Sequence, residues 1–179
     1  QYIYLPHVET IKIPWRRSIA QLRVMIPSII DNKCIYLDSD TVVSTCISRL
    51  WDIKMTASTA MAPCDHMPTC RVAGQRYGIK ALENLNRPFY NTGVMVFNCE
   101  EWKSIDLSAR CISMFDTYSD TASKHNDEPG INLAVSDCHS LDHTWNYCPD
   151  VDKPYKKANI VHNYDTFYHG KPRHSLFNQ

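Results

Sequence analysis

The pattern of apolar and polar positions predicts short buried strands that alternate with helices. Apolar side chains recur at helical spacing over residues 15–30, which predicts a helix that Pro27 kinks or ends. Short apolar runs between polar brackets at 34–37 and 93–97 predict two buried strands. Such alternation is typical of an α/β layered fold, and the chain length fits one domain over residues 1–179.

The remaining elements have weaker patterns. Their predicted bounds are a short element over 42–50, a strand over 56–62, an irregular connection over 63–88, a helix from 100 to about 118, a helix over 126–135, and short strands and loops from 136. Acids in the first turn support the helix from 100, and an early Pro129 supports the helix over 126–135.

Charge and cysteine content narrow the class of protein. Lys plus Arg equals Asp plus Glu at 19 each, so no overall field indicates nucleic acid or a membrane surface. The eight cysteines contain no C-x-x-C pair, and several lie in apolar runs, where thiols behave as small core residues. No apolar run has the length of a membrane-spanning helix. These features favour a reducing, cytoplasmic setting.

A pair of aspartates follows the first predicted strand, in the stretch Tyr36-Leu37-Asp38-Ser39-Asp40. Alternate residues of a strand point to opposite sides, but a turn after the strand brings both carboxylates to one cavity. Two hard oxygen ligands suit Mn²⁺ or Mg²⁺ rather than zinc. The carboxyl end of a strand is where α/β sheets bind ligands. The alternative is that the two aspartates only cap a turn.

Two further segments have polar groups that suit a ligand site. Gly93, after Asn91 and Thr92, permits close approach of the backbone to a ligand, or only an unusual turn. The run His-Asn-Asp-Glu at 125–128 precedes a helical pattern, and helix capping explains its acids equally well.

The last third of the chain contains basic candidates. His162 follows two β-branched residues and is either a metal ligand or a core histidine. Lys171, beside Gly170, suits a phosphate as a point charge. Residues 151–179 have five Lys or Arg against two Asp or Glu, which fits either a solvated face or half of an anion site.

The order of these segments carries more information than any one of them. The chain contains in succession R-V-M-I-P, Y-L-D-S-D, F-Y-N-T-G-V-M-V-F-N, N-D-E-P-G-I-N, W-N-Y, I-V-H and G-K-P. This order resembles glycosyltransferase family 8, which includes glycogenin and bacterial lipooligosaccharide galactosyltransferases. The resemblance extends from about Trp15 to Pro172. It implies a GT-A fold with a mixed central sheet flanked by helices. It also implies retaining transfer of a hexose from a UDP-sugar, with Mn²⁺ or Mg²⁺, to a glycan, lipid or protein acceptor.

The resemblance also implies roles for individual residues. The metal ligands are Asp38, Asp40 and His162. The residues that bind the donor are Arg23, Tyr36, Asp38, Ser39, Asn91, Thr92, Gly93, Asp127, Glu128, Gly170 and Lys171. Within that set, Lys171 binds the diphosphate and Asp127 holds sugar hydroxyls. The candidate catalytic residues are Asp127 and Glu128.

The chain departs from the family pattern in three places. The family has Asp-Gln where this chain has Asp127-Glu128, and a carboxylate there suits a nucleophile or stabilises an oxocarbenium-like transition state. Lys171 follows His162 by nine positions rather than six. No segment before Tyr4 matches the family's uracil-binding strand and helix, so we expect the sequence to be incomplete at its N-terminus.

Two other functions remain as alternatives. The run K-C-I-Y-L-D-S-D-T resembles the strand and D-x-D-x-T motif of HAD-type phosphatases, in which Asp38 would be the nucleophile and Asp40 a general acid. The second alternative is a non-catalytic module that binds metal and sugar nucleotide or acts only as an interaction domain. Hydrolysis of UDP-sugars with Mn²⁺ separates these alternatives from a transferase.

Overall fold

The computed structural model describes residues 19–119, 127–148 and 157–162. Its larger sheet has four strands in the order β1-β4-β3-β5. The strands are β1 (Lys33–Leu37), β3 (Thr59–Pro63), β4 (Tyr90–Asn98) and β5 (Cys138–Ser140). Because β4 runs antiparallel to both β1 and β3 while β3 pairs with β5 in parallel, the sheet is mixed, as predicted.

A second, two-stranded sheet joins distant parts of the chain. Strand β2 (Thr41–Val43) pairs antiparallel with β6 (Ile160–His162). In this register Thr41 lies opposite His162. The pairing therefore places the end of β6 directly beside the Asp-Ser-Asp turn that precedes β2.

Helices flank the larger sheet. The α-helices are α1 (Ile26–Ile29), α2 (Ser48–Trp51), α3 (Cys70–Tyr77), α4 (Lys80–Glu83), α5 (Cys99–Ser104), α6 (Leu107–Thr117) and α7 (Glu128–Ala134). Two 3₁₀ helices span Ile19–Met25 and His143–Asn146. The mixed sheet with flanking helices confirms the predicted α/β class.

The two faces of the sheet bury different sets of side chains, because successive residues of a strand point to opposite sides. Met95 and Phe97 of β4 pack in one core with side chains of α5, α6 and α7, and the Trp102 ring meets Phe97 edge-on at 4.9 Å between centroids. Val94 and Val96 face a second core with residues of α2, the second 3₁₀ helix and β6. The site described below lies at the end of this doubly covered sheet.

The predicted helix over 15–30 differs from the structure in type. From residue 19 it is a 3₁₀ helix that leads into α1, and Pro27 lies in the first turn of α1, where proline is tolerated. A 3₁₀ helix has three residues per turn, so Gln21, Val24 and Pro27 are buried at a spacing of three. The prediction that Ile29 lies on the apolar face of this helix was wrong, since its side chain is 40% exposed.

The prediction of an irregular connection over 63–88 was wrong, because α3 and α4 lie there. The Thr69 hydroxyl accepts a hydrogen bond from the Val72 backbone amide at the start of α3, and Gly78 ends that helix in the left-handed region. The buried positions of α3 are the small residues Cys70, Ala73 and Gly74. They gave no strong apolar period, which is why the pattern did not indicate a helix.

The single helix predicted from 100 to 118 is two helices, α5 and α6. Asp106 between them has φ of 49°, a left-handed conformation that aspartate tolerates better than most residues. The break lets Leu107, Cys111 and Phe115 of α6 face the core.

The expected strands and the helix after residue 126 are confirmed within the described ranges. Strands lie at 33–37, 59–63 and 90–98, and α7 begins at Glu128 with Pro129 in its first turn. All eight cysteines are free thiols. Among the described residues, no helix has the length and apolarity needed to cross a membrane.

Candidate functional site

Two carboxylates and one imidazole converge at the end of β1. Ligand atoms of Asp38, Asp40 and His162 all lie within 4.8 Å of one another. Nε2 of His162 is 3.2 Å from Oδ1 of Asp40 and 3.6 Å from Oδ2 of Asp38. His162 is buried and the two aspartates are half-buried, so the cluster opens to solvent on its carboxylate side.

Backbone hydrogen bonds fix the turn that carries the aspartates. The Asp38 amide donates to the Gly93 carbonyl at 2.8 Å, and the Thr41 amide donates back to the Asp38 carbonyl at 3.2 Å. The chain then enters β2, whose pairing with β6 brings His162 opposite Thr41. One local hydrogen bond, one long-range hydrogen bond and one long-range strand pair therefore bring His162 to the two aspartates.

The imidazole of His162 is held on two sides. Its Nδ1 lies 3.9 Å from the Cys148 sulfur, while its Nε2 faces the carboxylates. On the other side the ring packs against Gly93: a Cβ added at Gly93 would overlap Cε1 and Nδ1 and lie 2.9 Å from Nε2. The His162 ring therefore fits only because glycine, which has no side chain, occupies position 93.

The charges around the cluster fit a divalent cation. Arg23 pairs with Asp38 (NH1 to Oδ1, 3.1 Å) and with Asp127 (Nε to Oδ2, 3.0 Å). With Asp40, three carboxylates face one guanidinium, a formal charge of −2. Two carboxylate oxygens and one imidazole nitrogen form a ligand set that Mn²⁺ accepts. These residues therefore fit the predicted metal.

Arg23 is 6% exposed and lies at the centre of this network. It donates to the carbonyls of Thr92 (2.6 Å) and Ala20 (2.8 Å), and its guanidinium lies 4.7 Å from the centroid of the Tyr36 ring. Burial lowers the pKa of Arg23, but the charges of Asp127 and Asp38 outweigh it, so the pKa is raised. Arg23 therefore stays charged and holds two carboxylates in fixed positions.

Tyr36 adds a direct contact to the first aspartate. Its hydroxyl donates to Oδ1 of Asp38 at 2.6 Å. Burial, followed by this hydrogen bond, raises the pKa of Tyr36 above its usual value, so the hydroxyl keeps its proton and remains a donor. Ser39, between the two aspartates, is exposed.

The Asn-Thr-Gly segment lies in an irregular part of β4. Pairing with β3 is regular at Met61 opposite Met95 and resumes at Pro63 opposite Tyr90, so β4 has extra residues between these points. Such irregularities re-aim side chains and are common beside active sites. Thr92 here faces Asp127, while Gly93 faces His162.

Asp127 precedes α7 and is 3% exposed. Its Oδ2 accepts a hydrogen bond from the Thr92 hydroxyl at 3.2 Å and forms the ion pair with Arg23. Burial raises the pKa of Asp127 from its ordinary value of 3.8 to about 6, although the Arg23 charge lowers it.

This raised pKa predicts a pH-dependent difference between the protein and its Asp127→Asn variant. Between pH 4 and 6 the folded protein binds the Asp127 proton more tightly than the unfolded chain, so ionisation of this group destabilises the fold as pH rises. We expect the free energy of unfolding, wild type minus variant, to fall by roughly 2 kcal/mol from pH 4 to pH 7. Urea unfolding at four pH values measures it, and a difference that rises with pH contradicts the prediction.

Glu128 begins α7, directly after Asp127, and its charge acts on a thiol beside the metal ligands. Burial raises the pKa of the Cys148 thiol, and the negative charges of Glu128 and Asp40 add to this effect, as do Cys64 and Asp65. The Glu128 carboxylate therefore acts electrostatically on the thiol that lies beside His162. Cys148 itself was not predicted from the sequence, and no motif around it marks it as a neighbour of the ligands.

The structure brings together most of the predicted site. Asp38, Asp40 and His162 form the ligand cluster, with Gly93 against the imidazole. The residues Arg23, Tyr36, Asn91, Thr92, Asp127 and Glu128 surround it. Gly170 and Lys171 lie outside the described residues, as do His125 and Asn126.

Comparison with solved structures places this fold in a class. The solved structure of galactosyltransferase LgtC in complex with donor and acceptor sugar analogs matches with a TM-score of 0.63 at 16% identity. The match covers 79% of this chain and 56% of LgtC. The protein thus has the GT-A fold, with a mixed sheet and flanking helices.

Sequence comparison identifies the family. The pattern of Glycosyl transferase family 8 matches residues 16–170. The chain therefore belongs to glycosyl transferase family 8.

Two curated relatives are similar over part of their length. General stress protein A of Bacillus subtilis (strain 168) is 27% identical over 106 residues, which is 56% of this chain and 35% of the relative. Probable galacturonosyltransferase-like 4 of Arabidopsis thaliana is 28% identical over 130 residues, which is 68% of this chain and 37% of the relative. The chain thus spans about a third of the length of these relatives.

Proposed function

We propose that the protein is a retaining glycosyltransferase that moves a hexose from a UDP-sugar to the hydroxyl of a glycan, lipid or protein, with Mn²⁺ or Mg²⁺. The observation that carries the proposal is the convergence of Asp38, Asp40 and His162, with ligand atoms within 4.8 Å. Family membership supports the transferase class. Family membership also argues against the phosphatase alternative, because the strand with the D-x-D motif lies in a family 8 chain.

The metal ligands set the position of the donor diphosphate. Asp38, Asp40 and His162 would hold the ion, and the chemistry it supplies when bound is neutralisation of charge on the departing UDP. Arg23 keeps Asp38 in place through an ion pair with Oδ1, and Tyr36 through a hydrogen bond to the same atom. In the same proposal Lys171, with Gly170, adds positive charge near the phosphates.

In this proposal the buried carboxylate of Asp127, beside the cluster, binds the donor sugar. Oδ2 of Asp127 already pairs with the Arg23 guanidinium and accepts a hydrogen bond from Thr92, so this side chain has one orientation. We assign its other oxygen to a sugar hydroxyl. Asn91, Thr92 and Gly93 line the donor next to it. Fixed polar groups of this kind orient the reacting carbon before chemistry begins.

Two mechanisms would retain the configuration at the anomeric carbon, and they differ in the role of Glu128. As a nucleophile it attacks the anomeric carbon, forms a glycosyl ester as UDP leaves, and is regenerated when the acceptor hydroxyl displaces it. In the other route the acceptor attacks on the face from which UDP leaves. We expect Glu128→Gln to reduce turnover by at least 100-fold in the first route. Transfer rates under saturating donor measure this, and unchanged turnover rules out the covalent route.

Release of UDP tests the function itself. The protein is incubated with UDP-glucose or UDP-galactose, with and without Mn²⁺, and free UDP is measured. Release that depends on Mn²⁺ supports a transferase, because water substitutes slowly for the acceptor. A folded protein that binds UDP with Mn²⁺ but releases none supports the non-catalytic module. Phosphate release from a simple monoester, abolished by Asp38→Asn, would contradict both.

A further inference from the structure

Two asparagines from distant parts of the chain form a hydrogen-bonded pair beside the metal cluster. Nδ2 of Asn146 donates to Oδ1 of Asn91 at 2.6 Å and approaches the Asn91 carbonyl at 3.4 Å. Asn146 ends the second 3₁₀ helix and is 2% exposed. Asn91 is half-buried and precedes Gly93, the residue that makes room for His162, by two positions.

The backbone fixes which way both amides point. The Gly93 amide donates to Oδ1 of Asn91 at 2.8 Å, and a backbone N–H has no other role than donor. The Asn91 atom at this position is therefore oxygen, and the Asn146 atom that meets the same oxygen must be nitrogen. It follows that Nδ2 of Asn91 points away from both partners. Within the described ranges this nitrogen has no hydrogen-bond partner.

We propose that Asn146 is a positioning residue for the donor sugar, acting through Asn91. The inference rests on the proposed function. With its oxygen shared between Gly93 and Asn146, Asn91 presents only its NH₂ group to the site. Two N–H donors suit oxygen acceptors, which a pyranose ring supplies through its hydroxyl groups. Asn146 thereby adds a second hydrogen bond to the orientation that the Gly93 amide sets, and it restricts rotation of the Asn91 amide.

The environment of Asn146 argues against a purely structural role. Its Oδ1 is buried and has no hydrogen-bond partner among the described residues, an arrangement that carries a free-energy penalty. Replacement of Asn146 removes this unsatisfied acceptor along with the hydrogen bonds to Asn91. The two effects oppose each other, so we expect the variant to fold with a melting temperature close to that of the wild type.

The Asn146→Asp variant tests hydrogen-bond donation by residue 146 without a change in the size of its side chain. Aspartate has the same size but no N–H, so its carboxylate would repel Oδ1 of Asn91 and turn that amide around. We expect Asn146→Asp and Asn146→Ala to lose at least five-fold in affinity for the UDP-sugar while their affinity for UDP is unchanged. Isothermal titration with Mn²⁺ present measures both ligands. The probe is UDP-glucose or UDP-galactose, whichever the wild type binds more tightly.

Two further variants test the route through Asn91. In an Asn91→Ala background, Asn146→Ala is expected to cause no additional loss. Asn159→Ala is the matched control, because Asn159 also bonds the region of the second 3₁₀ helix, through the Thr144 hydroxyl, but does not touch Asn91. It is expected to keep the wild-type ratio of the two affinities.

The outcomes separate this proposal from the function on which it rests. If Asn146→Asp keeps the wild-type preference for the UDP-sugar over UDP, the role of Asn146 is wrong and the proposed function stands. Full additivity of the two alanine substitutions also overturns it. If the wild type binds neither UDP nor a UDP-sugar with Mn²⁺, the proposed function fails and this role fails with it.

Discussion

Replacing Asp40 with alanine is expected to abolish Mn²⁺-dependent release of UDP from a UDP-sugar. Asp40 contributes the carboxylate that lies closest to His162, at 3.2 Å, and the cluster keeps only one carboxylate without it. Loss of a residue that merely supports a ligand costs about 10–100-fold in metal affinity or activity, so loss of a ligand itself should exceed about 100-fold. Rates measured at increasing Mn²⁺ test this, because a weakened site recovers part of its activity at high metal.

The controls separate the metal site from general damage. Asp137→Ala removes an exposed carboxylate far along the chain and is expected to leave the rate unchanged. Asp40→Ala is expected to keep its fold, since removal of one of two adjacent negative charges relieves repulsion. Full activity of Asp40→Ala at ordinary Mn²⁺ would show that the metal assignment is wrong.

Replacing Gly93 with alanine is expected to destroy the same site without touching a ligand. The added Cβ would overlap the His162 ring, so the imidazole must leave the carboxylates. The backbone of Gly93 is not in the left-handed region, so any loss arises from this overlap and not from backbone strain. Overpacking of a buried site costs about 1–3 kcal/mol in stability. We expect Mn²⁺ affinity to fall about as far as in His162→Ala.

The double variant Gly93→Ala with His162→Ala is the internal control. Removal of the ring removes the overlap, so the double variant should unfold at a higher temperature than Gly93→Ala alone, while it still fails to bind Mn²⁺. Thermal unfolding and metal titration on the four proteins give both results. If Gly93→Ala binds Mn²⁺ like the wild type, the ring does not depend on the space at Gly93.

Local sequence patterns were sufficient for the parts of the site that lie next to a regular element. The apolar run before Asp38 and Asp40 predicts β1, and a turn after a strand brings two carboxylates together. His162 is different, because only the pairing of β2 with β6 carries it to the cluster. Nothing in its neighbours reveals that register, so its role came from the resemblance to the family.

Other features depend on contacts that no local pattern encodes. Arg23 was expected near the donor, and its guanidinium bridges Asp38 and Asp127. That bridge requires a buried polar side chain within a 3₁₀ helix, where the apolar spacing predicted an α-helix. The link between Asn146 and Asn91 joins residues 55 positions apart. Helix α3 was not predicted because its buried residues are small, and a periodicity of apolar positions is recognised mainly from large apolar side chains.

Direct measurement of Mn²⁺ binding tests the central claim, that Asp38, Asp40 and His162 hold a divalent ion on which the donor diphosphate binds. Free Mn²⁺ is followed by electron paramagnetic resonance as it is added to the wild type and to Asp40→Ala, with and without UDP. The account predicts one site per wild-type chain that UDP tightens, and neither binding nor tightening in the variant. Equal Mn²⁺ binding by both proteins, or no effect of UDP on the wild type, would contradict it.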